Sequence, residues 1–281
     1  MSAPFWVDER HESGSAIGFE MVELLTEERT PFQHIKIFES RGFGRVMSLD
    51  DCWMVTQREN HLYHEMMSHP ALACHDRPAR VAIVGGGDCG VLQQVLRHPT
   101  VEQATQIEID ERVTRLSEQY FPELCSHNSD PRAQLLFEDG LAWVGRQTQS
   151  LDLLIIDSTD PVDMAAGLFE QHFYEDCRQA LADDGILALQ SESPLLHVEL
   201  LVQIRQRLYQ AGFGHLKHLL FPQPCYPSGW WSATLASASR DLTQVRNLDD
   251  QIPCRYYSRA IHQAAATLPP GLQRSLGEVS G

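Results

Sequence analysis

The chain has 281 residues, of which 43% are hydrophobic, so it is long enough for one large domain or for one large domain with a small one. Its 38 acidic against 22 basic residues give a net charge of −16, which disfavours binding to nucleic acid or to an anionic membrane surface. No apolar run approaches the roughly 20 residues of a transmembrane helix, and no signal-peptide pattern is expected from the first residues.

The seven cysteines are odd in number and scattered, and none is spaced as CxxC. This pattern argues against a disulfide framework and against a zinc site, so we expect a reducing, cytoplasmic location and no bound metal.

Short runs that alternate apolar and polar residues occupy the stretch from about 19 to 56. The runs at 33–40, 43–50 and 52–56 predict a small antiparallel meander, and a helix is predicted over 60–75. We therefore predict an N-terminal β-domain over 1–58 and a second domain over 59–281.

Strands and helices are predicted to alternate from residue 80 onwards. Strands are expected at 80–84, up to 110, and at 135–138, 151–157 and 186–191, with helices at 90–98, 111–121, from 139, 170–182 and 194–212. Such alternation predicts an α/β fold with a doubly wound sheet, preceded here by the antiparallel β-domain. Ligands bind such sheets beyond the carboxyl ends of the strands, so the polar side chains there are candidate site residues.

A glycine-rich turn, Gly85-Gly86-Gly87-Asp88-Cys89-Gly90, lies between a predicted strand and a predicted helix and fits the GxGxxG pattern. Glu108 ends the next strand, where an acid can accept hydrogen bonds from both ribose hydroxyls. Asp88 argues against a dinucleotide because its carboxylate would face the pyrophosphate. A cationic nucleoside without phosphates, such as an adenosylsulfonium compound, suits this turn better.

Asp139 and Gly140 end another predicted strand. The Asp139 carboxylate is suited to an adenine amino group, but an aspartate here is as often the N-cap of the following helix, and both interpretations stay open.

Asp157 ends a strand that is expected to be buried on both faces, and Asp160 follows three residues later. Together with Asp88 they predict an anionic pocket beside the nucleoside site. An alkylamine has a pKa of about 10 and arrives protonated, so carboxylates would bind it and one would accept its proton during alkylation. A sulfonium leaving group departs as a neutral thioether and needs no acid.

Seven motifs occur in order along the chain: YHEM (63–66), GGGD (85–88), EID (108–110), EDG (138–140), DSTDP (157–161), YPSG (226–229) and CRYY (254–257). As an ordered set they resemble the spermidine synthase family over about residues 18 to 275. The resemblance implies a Rossmann-like, methyltransferase-type domain behind the β-domain, assembled as a homodimer or homotetramer. It also implies aminopropyl transfer from decarboxylated S-adenosylmethionine, a co-substrate and not a permanent cofactor, to putrescine, with spermidine and methylthioadenosine as products.

The resemblance also implies residue roles. The methylthioadenosine part would contact Gln33, Glu108, Asp139 and Gly140 beside the loop glycines Gly85, Gly86 and Gly87. The aminopropyl amine and the acceptor would meet Asp88 and Asp157, with Asp157 as the base. The polyamine channel would be lined by Tyr63, His64, Asp160, Gln190 and Tyr226.

The chain departs from the family pattern at Cys89, which replaces a glycine of the loop, and at Asp163 and Met164, which replace a glycine and a proline of the segment that gates the site. These changes bear on turnover and gate closure. Two alternatives remain: an S-adenosylmethionine-dependent amine N-methyltransferase, and a non-catalytic polyamine-binding relative.

Overall fold

A computed structural model describes residues 5–158, 167–168 and 170–277. The predicted site residue Asp160 and the departures at Asp163 and Met164 lie outside the described residues.

The N-terminal part is a five-stranded antiparallel sheet in which the strands pair in chain order. The strands are β1 (Phe5–Arg10), β2 (Ala16–Arg29), β3 (His34–Ser40), β4 (Gly44–Leu49) and β5 (Cys52–Thr56). The predicted meander is confirmed. Strand β1 was not predicted, because its residues lie before the stretch of about 19 to 56 in which apolar and polar residues alternate.

The second part is a seven-stranded mixed sheet with helices on both faces. Its elements are α1 (Asn60–Cys74), β6 (Arg80–Gly85), α2 (Gly90–Leu96), β7 (Gln103–Glu108), α3 (Glu111–Tyr120), β8 (Ala133–Phe137), α4 (Gly140–Val144), β9 (Leu151–Asp157), α5 (Gln171–Ala180), β10 (Leu181–Gln190), α6 (Val198–Gln210), β11 (His215–Pro222), β12 (Trp230–Ser237), α7 (Arg259–Ala265) and α8 (Pro270–Ser275). The predicted α/β, Rossmann-like architecture is confirmed.

The sheet order β11-β12-β10-β9-β6-β7-β8 places β6 between β7 and β9, and both of these neighbours run parallel to it. The chain winds outward in both directions from β6, so this is the point where ligands bind in such sheets. Strand β12 is antiparallel to both of its neighbours. The sequence pattern predicted no element beyond residue 212, so this antiparallel edge is a feature that only the structure shows.

The central strands are buried on both faces, and their alternate residues supply two separate cores. Val81 and Ile83 of β6 pack in one core with residues of α1 and α2. Ala82 and Val84 pack in the other core with residues of α5 and α6. The near-continuous apolar run of β6 follows from this double burial.

The N-terminal sheet covers the second part through apolar contacts. Ile37, Leu49 and Val55 pack against Val113 and Leu116 of α3. This packing lays β3 to β5 over the region where β6, β7 and β9 end. The predicted division between residues 58 and 59 falls between β5 and α1, and as a domain boundary it stays a prediction.

Glu65 of the YHEM motif connects α1 to the CRYY motif. Its Oε1 accepts a hydrogen bond from the Arg255 amide at 2.9 Å, and its Oε2 accepts from the amides of Tyr256 and Tyr257 at 2.8 Å each. Because Glu65 is buried and fully occupied by backbone donors, it organises the fold and takes no part in the cavity described below.

None of the helices in the described part of the chain combines the length and apolar composition needed to cross a lipid bilayer.

Candidate active site

A cavity of about 500 Å³ opens at the carboxyl ends of β6, β7 and β9, under the N-terminal sheet. Its polar lining includes Gln33, Asp50, Tyr63, Asp88, Glu108, Asp139, Asp157, Ser158 and Tyr226. Its apolar lining includes Leu49, Met54, Val84, Ile107, Ile109, Val113, Leu141 and Leu168.

All the charged side chains among the described residues of this cavity wall are acidic. Five acidic side chains line it: Asp50, Asp88, Glu108, Asp139 and Asp157. No Lys, Arg or His is among the described residues of its wall. Carboxylates this close repel one another in a medium of reduced dielectric constant, so the cavity is suited to a cation and unsuited to a phosphate.

The glycine loop makes this crowding possible. Gly86 has a φ of +65°, its amide donates to the Asp157 carbonyl at 2.8 Å, and a Cβ at this position would lie 2.6 Å from Asp157 Oδ2. A Cβ at Gly87 would lie 2.9 Å from Glu108 Oε2. Only glycine therefore permits the loop to approach both carboxylates. Cys89 has a φ of 67°, so this departure from the family pattern keeps the left-handed backbone that a glycine would adopt.

Glu108 is 9% exposed at the end of β7, and its Oε1 accepts from the Asp110 amide at 2.9 Å. Burial raises the pKa of Glu108 to about 7, and the charges of Asp110 and Asp157 add to the rise while two backbone hydrogen bonds oppose it. Its other oxygen faces the glycine loop, where a donor would favour the charged form.

Asp139 is the N-cap of α4, because its Oδ1 accepts from the amides of Leu141 and Ala142 at 2.8 and 3.4 Å. It also lines the cavity, so the capping role and a ligand role are compatible. Gln33 also lines the cavity and donates through Nε2 to Asp110 Oδ2 at 2.9 Å.

Asp157 stands at the end of β9 and is half-buried. The Tyr63 hydroxyl donates to its Oδ1 at 2.6 Å. Burial raises the pKa of Asp157 to about 6 and the charge of Asp88 raises it further, against the lowering effects of the Tyr63 hydrogen bond and of His64. A carboxylate with this pKa is charged at neutral pH and is a better proton acceptor than an ordinary aspartate.

Asp88 is held by two donors: the Gly90 amide bonds its Oδ1 at 2.8 Å, and His64 Nε2 lies 3.0 Å from its Oδ2. Burial lowers the pKa of His64, but the charge and hydrogen bond of Asp88 outweigh this and leave it raised. The His64 ring also packs against the Gly90 backbone, since a Cβ there would lie 2.1 Å from it. His64 thus stands behind Asp88 and is not among the described residues that line the cavity.

A smaller cavity of about 30 Å³, room for one water molecule, continues past Tyr63. Tyr226 borders both cavities; its ring meets that of Tyr63 edge-on at 5.5 Å, and its hydroxyl donates to the Met54 carbonyl at 2.8 Å. Gln190 and Glu9 line the smaller cavity.

Burial raises the pKa of Glu9; the Trp53 amide, which donates to Glu9 Oε2, opposes the rise, and the charge of Glu192 adds to it. Neither Glu9 nor Glu192 was singled out from the sequence. Glu9 lies in a strand that was not predicted, and Glu192 follows β10 without a recognised motif.

The cavity walls thus bring together most of the residues that the sequence selected. They include Gln33, Tyr63, Gly85, Gly86, Gly87, Asp88, Glu108, Asp139, Gly140, Asp157 and Tyr226 around the larger cavity. Gln190 borders only the smaller one. Within the described ranges no group of three or more His, Cys, Asp or Glu side chains is arranged to hold a metal ion.

Comparison with protein families gives two adjoining matches. Residues 60–247 match a model described as the spermine/spermidine synthase domain, and residues 5–57 match the spermidine synthase tetramerisation domain.

The chain is 48% identical over 283 residues to a polyamine aminopropyltransferase of Xanthomonas axonopodis pv. citri (strain 306), with 98% of each chain covered. It is 49% identical over 279 residues to a polyamine aminopropyltransferase of Xylella fastidiosa (strain M23), covering 97% of this chain and 98% of the relative.

Two solved structures have the same fold. A spermidine synthase in complex with the transition-state analogue AdoDATO superposes with a TM-score of 0.95 at 30% identity, covering 99% of this chain and 97% of that one. Spermidine synthase from Thermotoga maritima superposes with a TM-score of 0.92 at 29% identity, covering 99% and 96%.

Proposed function

Because this chain belongs to the spermidine synthase family of polyamine aminopropyltransferases, we propose that it transfers the aminopropyl group of decarboxylated S-adenosylmethionine to putrescine. The observation that carries this choice of substrates is the acid-lined cavity at the β6 switch point, which has no basic side chain in its described wall. Both substrates are cations, and neither has a phosphate or carboxylate that the five acids would repel.

The nucleoside half would lie between the glycine loop and the apolar side chains of the cavity. Glu108, with Oε1 occupied by an amide, offers its second oxygen to the ribose hydroxyls. Asp139 has Oδ1 engaged as a helix cap and offers Oδ2 to the adenine amino group. Gly140 and Gln33 complete this end of the wall.

The reacting half would lie between Asp88 and Asp157. Asp88 attracts the ammonium of the aminopropyl group, although His64 offsets part of its charge. Asp157 binds the attacking amine, and its Oδ2 is free to take a proton because Tyr63 occupies Oδ1. Asp160 stays part of this proposal as a further acid and lies outside the described residues.

The reaction is a direct displacement at carbon. Asp157 accepts a proton from the acceptor ammonium, and the freed nitrogen attacks the aminopropyl carbon that is bonded to sulfur. The nitrogen lone pair forms the new carbon–nitrogen bond as the carbon–sulfur bond breaks. The electron pair of the broken bond stays on sulfur. Spermidine and methylthioadenosine are the products, and neither a metal nor a permanent cofactor takes part in the step.

The far ammonium of putrescine would extend past Tyr63 and Tyr226 into the smaller cavity. Glu9 and Gln190 border this cavity, and the raised pKa of Glu9 reflects a buried acid close to a second acid, Glu192. A cation placed between two buried acids relieves their repulsion, which favours a diamine over a monoamine.

Assembly would use the outer strands of the N-terminal sheet. Phe5 and Trp6 of β1 are 61% and 56% exposed, and Val22 and Leu24 of β2 are 63% and 46% exposed. Such an apolar patch is typical of a subunit interface, and we propose a homotetramer or a homodimer. All seven cysteines are unpaired thiols, which fits a cytoplasmic location.

The assignment is tested by product analysis. The protein is incubated with decarboxylated S-adenosylmethionine and, separately, with putrescine, cadaverine, agmatine or spermidine. We expect a product heavier than putrescine by one aminopropyl group, with an equal amount of methylthioadenosine, and the highest kcat/KM for putrescine. A higher kcat/KM for spermidine would make the acceptor assignment wrong, and the absence of any aminopropyl product would refute the reaction.

Asp157→Asn should lower kcat by a factor of about 10²–10⁴, the usual contribution of a general base, because the amide cannot accept the proton. Methylthioadenosine affinity should not change. Glu138→Gln is the matched control, since Glu138 is an acid near the site that pairs with Arg146 and does not line the cavity. An Asp157→Asn enzyme within threefold of wild type would contradict the role of base.

Calorimetry should show decarboxylated S-adenosylmethionine binding tighter than intact S-adenosylmethionine by about tenfold or more, because Asp88 repels the extra carboxylate. Asp88→Asn should narrow this gap while leaving the affinity for methylthioadenosine, which has no aminopropyl group, as it was. Equal affinities in the wild type would instead support an N-methyltransferase.

A further inference from the structure

A row of hydrogen bonds crosses from the β1–β2 turn to the loop after β10. The Ser13 amide donates to His11 Nδ1 at 3.1 Å, and His11 Nε2 lies 2.9 Å from His197 Nε2. His197 Nδ1 lies 2.9 Å from Glu192 Oε2. Glu192 is 1% exposed, whereas the two histidines are half-buried. The row therefore connects the N-terminal sheet to a buried acid of the second part of the molecule.

The chemistry of the row fixes the position of each proton. Two groups of Ser13 meet His11 Nδ1: the amide at 3.1 Å and Oγ at 2.8 Å. Because the amide can only donate, it favours an accepting Nδ1, with Oγ as a second donor and the His11 hydrogen on Nε2. His11 Nε2 then donates to His197 Nε2, which leaves the hydrogen of His197 on Nδ1, where it is donated to Glu192. Every donor in the row has an acceptor only when both imidazoles are neutral.

Glu192 is held on its other side as well. Gln190 Nε2 donates to Glu192 Oε1 at 3.2 Å, and the Glu192 amide donates to Gln190 Oε1 at 3.1 Å. The Glu192 backbone has a φ of 64°, a conformation that a glutamate rarely adopts without support from its surroundings. Glu192 is not among the described residues that line the smaller cavity, but it is bonded to Gln190 and its charge raises the pKa of Glu9, and both of these residues do line it.

We propose that His11 and His197 are positioning residues for the acceptor. When both are neutral they hold Glu192 towards the smaller cavity, and when acid breaks this row of hydrogen bonds, diamine binding weakens. This inference rests on the proposed function, because it assigns the far ammonium of the diamine to the Glu9 and Glu192 side of the cavity. Neither histidine touches the reacting atoms; both act through Glu192.

Acid interrupts the row at His197. Its hydrogen bond to Glu192 raises the pKa of His197 against the effect of burial, and the charges of Glu192 and Glu12 add to the rise. A proton on His197 Nε2 faces the proton on His11 Nε2. If the His11 hydrogen moves to Nδ1, Ser13 Oγ can accept it, but the Ser13 amide then loses its acceptor. The cationic His197 also offsets the charge of Glu192, so the electrostatic attraction between Glu192 and the far ammonium of the diamine decreases.

The titratable groups that face the row are Glu9, Glu12 and Glu192 beside the two histidines. Glu9 gains protons in acid as well, which acts in the same direction on diamine binding. A test must therefore separate His197 from Glu9, and it must separate the far ammonium from the near one that Asp157 binds.

The experiment measures the affinities of putrescine and of butylamine, a monoamine of the same length, for the enzyme filled with methylthioadenosine. The readout is the ratio of the putrescine affinity to the butylamine affinity, measured at pH 6 and at pH 8. Because both amines place one ammonium at Asp157, effects of pH on that contact cancel in the ratio. In the wild type we expect the preference for putrescine to fall about tenfold from pH 8 to pH 6, as expected when one interaction with a charged group is lost.

Three variants separate the contributions. His197→Asn keeps a donor close to the position of Nδ1 but does not titrate. Its preference for putrescine should therefore change by less than about threefold between the two pH values, and this remaining change is due to protonation of Glu9. His197→Ala should lower the preference about tenfold at pH 8, because putrescine binding weakens while butylamine binding does not. His215→Ala, at an exposed histidine at the start of β11, is the control and should behave as the wild type.

A pH-independent preference in the wild type, or equal losses for both amines in His197→Ala, would overturn the inference while the proposed function stands. Failure of the proposed function is distinguishable, because then no aminopropyl product forms and putrescine does not bind better than butylamine at any pH; the inference would fall with it.

Discussion

The hydrogen bond from the Tyr63 hydroxyl to Asp157 Oδ1, at 2.6 Å, holds the acid at the centre of the site in place. Tyr63 belongs to α1, and Asp157 ends the central strand β9. The Tyr63 ring lies edge-on to Tyr226, whose hydroxyl is bonded to Met54 of the N-terminal sheet. Because one oxygen of Asp157 is fixed in this way, the other is presented towards the glycine loop and the cavity, where a proton acceptor is required.

The second constraint is electrostatic. Asp88, Glu108 and Asp157 come from three adjacent strand ends, and the glycines between them allow an approach that side chains would prevent. The pKa values of Glu108 and Asp157 are raised to about 7 and about 6, chiefly by burial and in part by the neighbouring acids. Cationic ligands relieve this repulsion on binding, and binding should therefore release protons. The crowding of buried acids therefore has two effects: it favours binding of a cationic amine, and it raises the pKa of the carboxylate that deprotonates this amine.

The sequence was sufficient for the local features of this site. The apolar run of β6, the glycine loop and the acids at strand ends follow from short-range patterns, and parallel strands bring their ends together whatever the loops between them. Asp139 shows the limit of such patterns, since its two interpretations, a cap and a cavity acid, are both present in the structure.

Features that depend on distant parts of the chain were not predictable. His64 was expected in the channel wall, but the contact with Asp88 and the close passage of Gly90 place it behind that acid. Glu9 reaches the smaller cavity because β1 pairs with β2 and lies over the second part, and the row from His11 to Glu192 spans more than half of the chain. Such contacts are set by the packing of the sheet, for which no local motif exists.

An infrared titration of the free protein tests whether the acid-lined cavity makes Asp157 a base that bound cations then hold in its charged form. The protonated carboxyl band that the wild type shows and Asp157→Asn lacks should disappear with a midpoint at about pH 6. The midpoint should move to lower pH when methylthioadenosine and putrescine are added. A midpoint near the ordinary value of 3.8, or one that the amine leaves unchanged, would show that the cavity does not make Asp157 such a base.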